Sequence, residues 1–146
     1  MNPRVTAIIL RGRQLLLIHR IKEGRDYFVL PGGSVEDGET LISACMREIA
    51  EETGLDVTIT RELCAFENKG REEHYFLAAF RGGQLCLGEP EKSRQSQENQ
   101  YLLGWHDLSG IFELNLQPEA IREMIMENIL IGLSKISEME NMKPTD

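Results

Sequence analysis

Cysteine is scarce in this chain: Cys45, Cys64 and Cys86 are the only three. Three is an odd number and none forms a C-x-x-C pair, which argues against a zinc framework or a disulfide scaffold. The expectation is three buried, reduced thiols. Long hydrophobic runs are also missing. The first apolar segment, Val5 to Leu10, stops at Arg11-Gly12. No stretch approaches the roughly 18 apolar residues of a membrane span, and no secretory leader pattern precedes it. The expected setting is the cytoplasm, with no membrane partner. Positive charge is short as well: 16 Lys and Arg against 24 Asp and Glu give a net charge of −8. A general DNA binder carries a basic face, so no DNA partner is expected. An acidic protein that acts on a polyanion needs a divalent cation.

The 146 residues suggest a single domain, 1–146, large enough for a real core. Val5–Leu10 and Gln14–His19, punctuated by Arg11-Gly12, read as a β-hairpin. A charged stretch, Arg20 to Asp26, leads to a short strand at Tyr27–Leu30, and Pro31-Gly32-Gly33 then marks a sharp stop. Thr40 is placed to cap a helix running about 41–53, and Gly54 to end it. Strands are expected over Leu55–Phe66, His74–Phe80 and Gln100–Leu108, with Gly82-Gly83 as a hairpin turn into Gln84–Leu87. Pro118 opens a second helix, about 118–136, in which Ile121, Met124, Ile125, Ile129 (or Met126), Leu133 and Ile136 recur at helical spacing. Residues 138–146 read as a frayed acidic tail. Strands on both sides of a first helix, with a second helix at the end, make a mixed α/β layered fold.

The chemistry concentrates in residues 33–55, GSVEDGETLISACMREIAEETGL. Glu48, Glu51 and Glu52 stand at i, i+3 and i+4, within an arc of about 100° on a helix. Three such carboxylates repel one another unless a cation lies between them, and carboxylate oxygens suit hard ions such as Mg²⁺. Arg47, four residues before Glu51, is spaced to pin its carboxylate. Ile42, Met46 and Ile49 read as the helix's apolar stripe. On spacing alone, a solvated acidic face is the commoner explanation of the glutamates. The adjoining Pro31-Gly32-Gly33 and Gly38 alter that balance, because a glycine-rich turn before a helix N-terminus lets backbone groups approach a phosphate or metal.

The segment resembles the Nudix box, in which a glycine, five residues, a glutamate and seven residues precede R-E-U-x-E-E-x-G-U, where U is bulky and apolar. Gly33, Glu39, Arg47, Glu48, Ile49, Glu51, Glu52, Gly54 and Leu55 fill every fixed position. The resemblance implies an α/β/α sandwich around a mixed β-sheet. It also implies a pyrophosphohydrolase that cleaves a nucleotide-like diphosphate with Mg²⁺, for which Mn²⁺ can substitute. Glu51 and Glu52 would be core metal ligands. Glu48 would be a further ligand or the base that activates water, and the Gly33 carbonyl a possible ligand. Arg47 would orient a glutamate, and Glu39 would support the loop.

Outside the box the expectations are looser. A further catalytic glutamate is expected downstream, with Glu98 leading and Glu89 and Glu91 as alternatives. Arg20, Lys22 and Arg25 are candidate phosphate clamps. Gly32 is a candidate for close backbone approach to substrate. Tyr75 leads His74, Trp105 and His106 as an aromatic that stacks on a base. By elimination among subfamily signatures, a nucleoside triphosphate, ordinary or oxidised, leads as substrate. ADP-ribose or a nucleotide sugar stays open, as does a non-hydrolysing nucleotide sensor. An RNA 5′-end pyrophosphohydrolase is disfavoured by the net charge of −8. Many relatives are homodimers, so a homodimer is a further expectation.

Overall fold

The computed structural model describes residues 2–130. Two hairpins begin the chain. Strand β1 (Arg4–Arg11) turns at Gly12 into β2 (Gln14–Lys22), and β2 turns at Glu23-Gly24 into β3 (Arg25–Val29). Arg20 and Lys22 therefore lie inside a strand, not in a loop before one. The Pro31-Gly32-Gly33 stretch is less of a stop than expected. Gly32–Ser34 form a short strand, β4, antiparallel to the start of β1 with Gly33 opposite Val5. Helix α1 (Leu41–Thr53) follows.

Leu55–Asn68 make one long strand, β5, antiparallel to β6 (Arg71–Gly83). The true turn between them is Lys69-Gly70, both at positive φ as a two-residue hairpin loop requires. Gly82 and Gly83 are not a turn: they pair with Asp56 and Leu55 and finish β6. The expected strand at Gln84–Leu87 is absent among the described residues. That segment lies instead on the end of α1, where the Cys86 N–H donates to Thr53 O (2.9 Å) and the Gly88 N–H to Glu52 O (3.3 Å). The last carbonyls of a helix need donors from outside it, and this loop supplies them. A short helix α2 (Glu91–Arg94) leads to β7 (Asn99–Asp107). A 3₁₀ turn over Leu108–Glu113 and helix α3 (Glu119–Ile125) end the regular structure, with a π-helical turn at Met126–Leu130.

The sheet is mixed. The parallel β1–β6 pair joins β5 on one side and β2, β3 and β7 on the other. β7 runs along one edge of β2 from Gln14 to Lys22. The other edge of β2 is shared, by β1 at Leu15 and by β3 from Ile18 onward. Alternation along β1 sends Val5, Ala7 and Ile9 to one face and Ile8 to the other. The first face packs on Ala44, Cys45 and Ile49 of α1. The second, with Leu15 and Leu17, packs on Leu108, Ile111, Ile121 and Ile125. Two apolar layers, one on each face of a mixed sheet, make the α/β/α sandwich.

Three expectations about packing are corrected. The inward side of α1 is Ala44, Cys45, Ile49 and Thr53, while Ile42 and Met46 are 51% and 44% exposed. Small residues let the helix lie close to the sheet, and that rotation turns Ile42 and Met46 outward. Only Cys45 of the three thiols is buried; Cys64 is half-buried and Cys86 exposed. The C-terminal α-helix is regular only to Ile125. Ile121, Ile125 and Ile129 do form its buried stripe, whereas Leu133, Ile136 and the tail 138–146 lie outside the described residues.

Candidate active site

Helix α1 is fixed at both ends and by one arginine. The Thr40 side chain accepts from the Ser43 N–H (3.1 Å), and Gly54 closes the helix in the left-handed region at φ 76°. Arg47 meets Glu39 fork to fork, Nε on Oε2 and Nη2 on Oε1, both at 2.8 Å. Its Nη2 also donates to the Ser34 carbonyl (3.1 Å). Its Nη1 donates to Glu48 Oε1 (3.1 Å) and to Glu51 Oε2 (3.2 Å). The Glu39 carboxylate also accepts from the Glu36 N–H at 2.8 Å. The Arg47 hydrogen bond, then that N–H, hold the Glu39 carboxyl down at about 2. One guanidinium thus ties the 36–39 loop, β4 and two of the three box glutamates together.

Those three glutamates differ. Glu51 is exposed. Glu48 is mostly covered, and burial raises its pKa against the opposing pull of Arg47. Gly33 passes directly beneath it: a Cβ built on Gly33 would fall inside the Glu48 carboxyl group. A side chain at position 33 would displace that carboxylate. Glu52 faces furthest inward, and its pKa is pushed up to about 8, first by burial and second by the charge of Glu91. The charge of Arg4 and the N–H of Gly32 pull the other way and do not outweigh them.

An inward carboxylate short of countercharge is what a divalent cation satisfies, so Glu48 and Glu52 beside Gly33 suit a hard metal ion. Glu51 is drawn toward Arg47. Among the described residues, no three acidic, histidine or cysteine side chains are already gathered into a ligand set. The arginine, standing between Glu48 and Glu51, supplies the positive charge at that point.

A cleft of about 610 Å³ opens between the start of β1 and β3. Arg4, Arg25, Lys69 and Arg71 bring positive charge to it, Tyr27 aromatic surface, and Asn68 and Gln117 amides. Arg4 lines this cleft, and its charge also acts on Glu48 and Glu52. Arg71, another residue of the cleft, donates to the Ser34 hydroxyl, and the Ser34 carbonyl accepts from Arg47, so the cleft and the carboxylate face are neighbours. Arg25 stands over the Tyr27 ring, 4.8 Å from its centroid.

Several sequence candidates fall elsewhere. Arg20 is 7% exposed and does not line the cleft. It donates to Gln100 O (2.8 Å) and Asn99 Oδ1 (2.9 Å) and lies on the Tyr101 ring. Tyr75 is 2% exposed and cannot offer a free face. It is stacked on Phe66, and its hydroxyl donates to Glu73 (2.7 Å). It forms cleft floor. Gly32 is buried, its Cα against the Val5 carbonyl, which leaves no room for substrate at that point. His74 lies between Glu62 and Glu72, Trp105 packs edge-on to Phe80, and His106 edge-on to Phe28. Glu98 is exposed, and its carbonyl accepts from Glu23 at the β2–β3 turn. The downstream acid whose charge reaches Glu52 is Glu91. Arg4, Glu73 and Arg71 escaped the sequence reading, because no local pattern marks a strand-borne charge that long-range pairing brings into a cleft.

The comparisons with known proteins point one way. A NUDIX domain model matches residues 1–126. An ADP-ribose pyrophosphatase of Methanocaldococcus jannaschii is 35% identical over 98 residues, covering 62% of this chain and 58% of the relative. A Bacillus subtilis protein whose name proposes 8-oxo-dGTP diphosphatase activity is 32% identical over 86 residues, covering 58% and 56%. The chain thus spans less than two thirds of the length of these curated relatives. A NUDIX hydrolase structure from Nitrosomonas europaea superposes with a TM-score of 0.70 at 22% identity, covering 90% of this chain and 74% of the other, and so shares the fold. With the box intact and the family model spanning nearly all the described residues, the chain belongs to the NUDIX domain family.

Proposed function

We propose that this chain hydrolyses the phosphoric anhydride of a nucleoside diphosphate linked to a further group, in first place a nucleoside triphosphate, giving a monophosphate and pyrophosphate. The observation that carries this is the adjacency of two surfaces. The Glu48–Glu51–Glu52 face of α1 adjoins a cleft lined by Arg4, Arg25, Lys69 and Arg71 beside Tyr27 and the amides of Asn68 and Gln117. Cationic side chains suit phosphates, and aromatic and amide groups suit a nucleoside.

Glu48, Glu51 and Glu52, with the Gly33 carbonyl, would hold Mg²⁺ or Mn²⁺. When bound, the cation supplies charge that offsets the diphosphate and the charge developing on the leaving oxygen. The protein's own groups do the rest. Arg47 keeps Glu48 and Glu51 aimed along one side of the helix. Glu48, where it is not itself a ligand, would take a proton from the attacking water. Arg4 and Arg25 orient the phosphate chain, and the cleft walls shield it from bulk solvent. A second reading, ADP-ribose or a nucleotide sugar, is supported by the name of the archaeal relative and by a cleft with room for a second sugar.

Phosphate and pyrophosphate release across nucleoside triphosphates, oxidised triphosphates, ADP-ribose and nucleotide sugars, with Mg²⁺ or EDTA, tests both readings. Metal-dependent turnover of one class, reduced at least about 100-fold in Glu52→Gln, is the expected result. Turnover of ADP-ribose alone would install the second reading. Full activity of Glu52→Gln would overturn both, and tight nucleotide binding without turnover would make the protein a sensor.

A further inference from the structure

Glu73 is a buried carboxylate in a cleft otherwise rich in positive charge, and no step described so far uses it. It is 7% exposed, yet it lines the cleft together with Arg4, Arg25, Lys69 and Arg71. Side chains two apart on a strand share a face, so Arg71, Glu73 and Tyr75 of β6 all reach the cleft. The parallel register sets Arg4 opposite Glu73 and Thr6 opposite Tyr75. A lone carboxylate beside a phosphate chain repels it, so Glu73 serves the cleft by another route.

Its partners fix it on both oxygens. The Tyr75 hydroxyl donates to Oε2 (2.7 Å), and the Asn68 amide donates to the same oxygen (3.4 Å). Burial first, and then the hydrogen bond to Glu73, push the Tyr75 hydroxyl well above the ordinary phenol range, so it remains a donor. The other oxygen, Oε1, faces Arg4 Nε at 3.6 Å. Only 10% of the Glu73 side chain is exposed, against 33% of Arg4. The arginine is thus the member of the pair that a ligand can reach. Glu73 engages the Nε side of the guanidinium, and among the described residues Nη1 and Nη2 have no hydrogen-bond partner. A planar guanidinium held at one edge presents the other in a fixed direction. The neighbouring arginines are held differently. Arg71 is tied to the Asn2 carbonyl (2.9 Å) and the Ser34 hydroxyl, and Arg25 lies over the Tyr27 ring.

We propose that Glu73 is a positioning residue for substrate binding: fastened by Tyr75 and Asn68, it holds Arg4 by Nε and aims both Nη groups at the phosphate chain in the cleft. The inference rests on the reading of this cleft as the phosphate and nucleoside site. Glu73 touches no substrate and acts through Arg4. An arginine already held in one direction loses less side-chain freedom when the anion arrives.

The test is calorimetric binding to the full chain, with Mg²⁺, of two probes: inorganic pyrophosphate, and dGTP carrying a non-hydrolysable α,β-methylene bridge. Arg4→Ala should weaken binding about 30-fold and Glu73→Gln about 5-fold. In the Arg4→Ala background, Glu73→Gln should cause no further loss, because its effect travels through the arginine. Arg4→Lys keeps the charge without the fork and should fall between wild type and Arg4→Ala. For the substrate found in the panel, Glu73→Gln should raise KM and leave kcat within about 2-fold. A purely structural carboxylate would lower the melting temperature and leave the affinity of the folded protein alone. Wild-type affinity in Glu73→Gln or in Arg4→Lys would overturn the proposal. So would tighter binding in Glu73→Gln, which would mean that the carboxylate competes with phosphate for Arg4. A loss that persists in the Arg4→Ala background is also contrary, since Glu73 would then act without the arginine. Should Glu73→Gln not fold, Tyr75→Phe loosens the same carboxylate without removing its charge, and unchanged affinity in it is equally fatal. If wild type binds neither probe, the cleft reading itself fails and the role of Glu73 with it. If Arg4→Ala loses binding while Glu73→Gln keeps it, only the role of Glu73 fails.

Discussion

At the scale of single residues, the site is built from carboxylates in unequal surroundings. Burial pushes the Cys45 thiol up to about 12, with the charge of Glu48 adding to it, so that cysteine is packing and not a nucleophile. Glu39 and Glu52 are displaced in opposite directions, and their effects on stability have opposite signs. Glu39, held near 2 by Arg47, contributes stability above its ordinary 4.5 and loses it as pH falls through about 2. Glu52 keeps its proton in the fold to about pH 8, whereas the unfolded chain releases it near 4.5. Between those values the folded protein binds more protons, so the metal-free protein loses stability as pH rises from about 4.5 to 8 and levels off above. Glu52→Gln removes that loss. In EDTA at pH 9, it should melt roughly 3–6 °C above wild type, with the gap closing toward pH 5. A wild-type melting curve that tracks the variant at every pH would show that Glu52 is not destabilised by its surroundings.

At the scale of elements, helix α1 was the most legible part of the chain. Thr40, Gly54 and the Arg47–Glu51 spacing are local signals, and each does locally what its residue type does. Gly54 adds a tertiary duty, since a Cβ there would meet Gln84 O at 2.7 Å. Gly54→Ala meets both a left-handed φ and a backbone neighbour, and should cost about 2–3 kcal/mol in denaturant unfolding. A cost below about 1 kcal/mol, the left-handed strain alone, would mean that the 84–88 loop yields freely. The apolar stripe of α1 was misread because periodicity reports hydrophobic residues, not the radius of approach. Ala44 and Cys45 admit the sheet more closely than Ile42 and Met46 could. Gly82-Gly83 misled for a related reason. Two glycines allow a turn, but they also allow two backbones to touch, as Gly83 does at the Gly54 carbonyl.

Across the whole molecule, the cleft exists because β2 gives one edge to two partners in turn. β1 leaves it near Leu15 and β3 takes over at Ile18, and the space between the departing strands is lined by Arg4 and Arg25. This sorts arginines that look alike in sequence. Arg25→Ala should raise KM about 10-fold for the substrate found in the panel and leave the melting temperature nearly unchanged. Arg20→Ala breaks hydrogen bonds to Gln100 and Asn99. It should cost about 1–3 kcal/mol of stability, with KM unaltered in the folded fraction. The reverse pattern in steady-state kinetics and thermal melts would exchange their roles.

The sequence alone determined what depends on near neighbours. It set the capped helix, the i, i+3, i+4 carboxylates, the hairpin marked by Gly12, and the buried stripe of Ile121, Ile125 and Ile129. These follow from backbone geometry over a few residues, which local residue types control. Tertiary structure decided which acid reaches Glu52, which arginine faces the cleft, and which glycines stand for space. Glu91 and Glu98 are both acids in a polar stretch. Glu91, whose charge acts on Glu52, follows a loop hydrogen-bonded to the end of α1, whereas Glu98 is exposed, and local sequence does not distinguish the two.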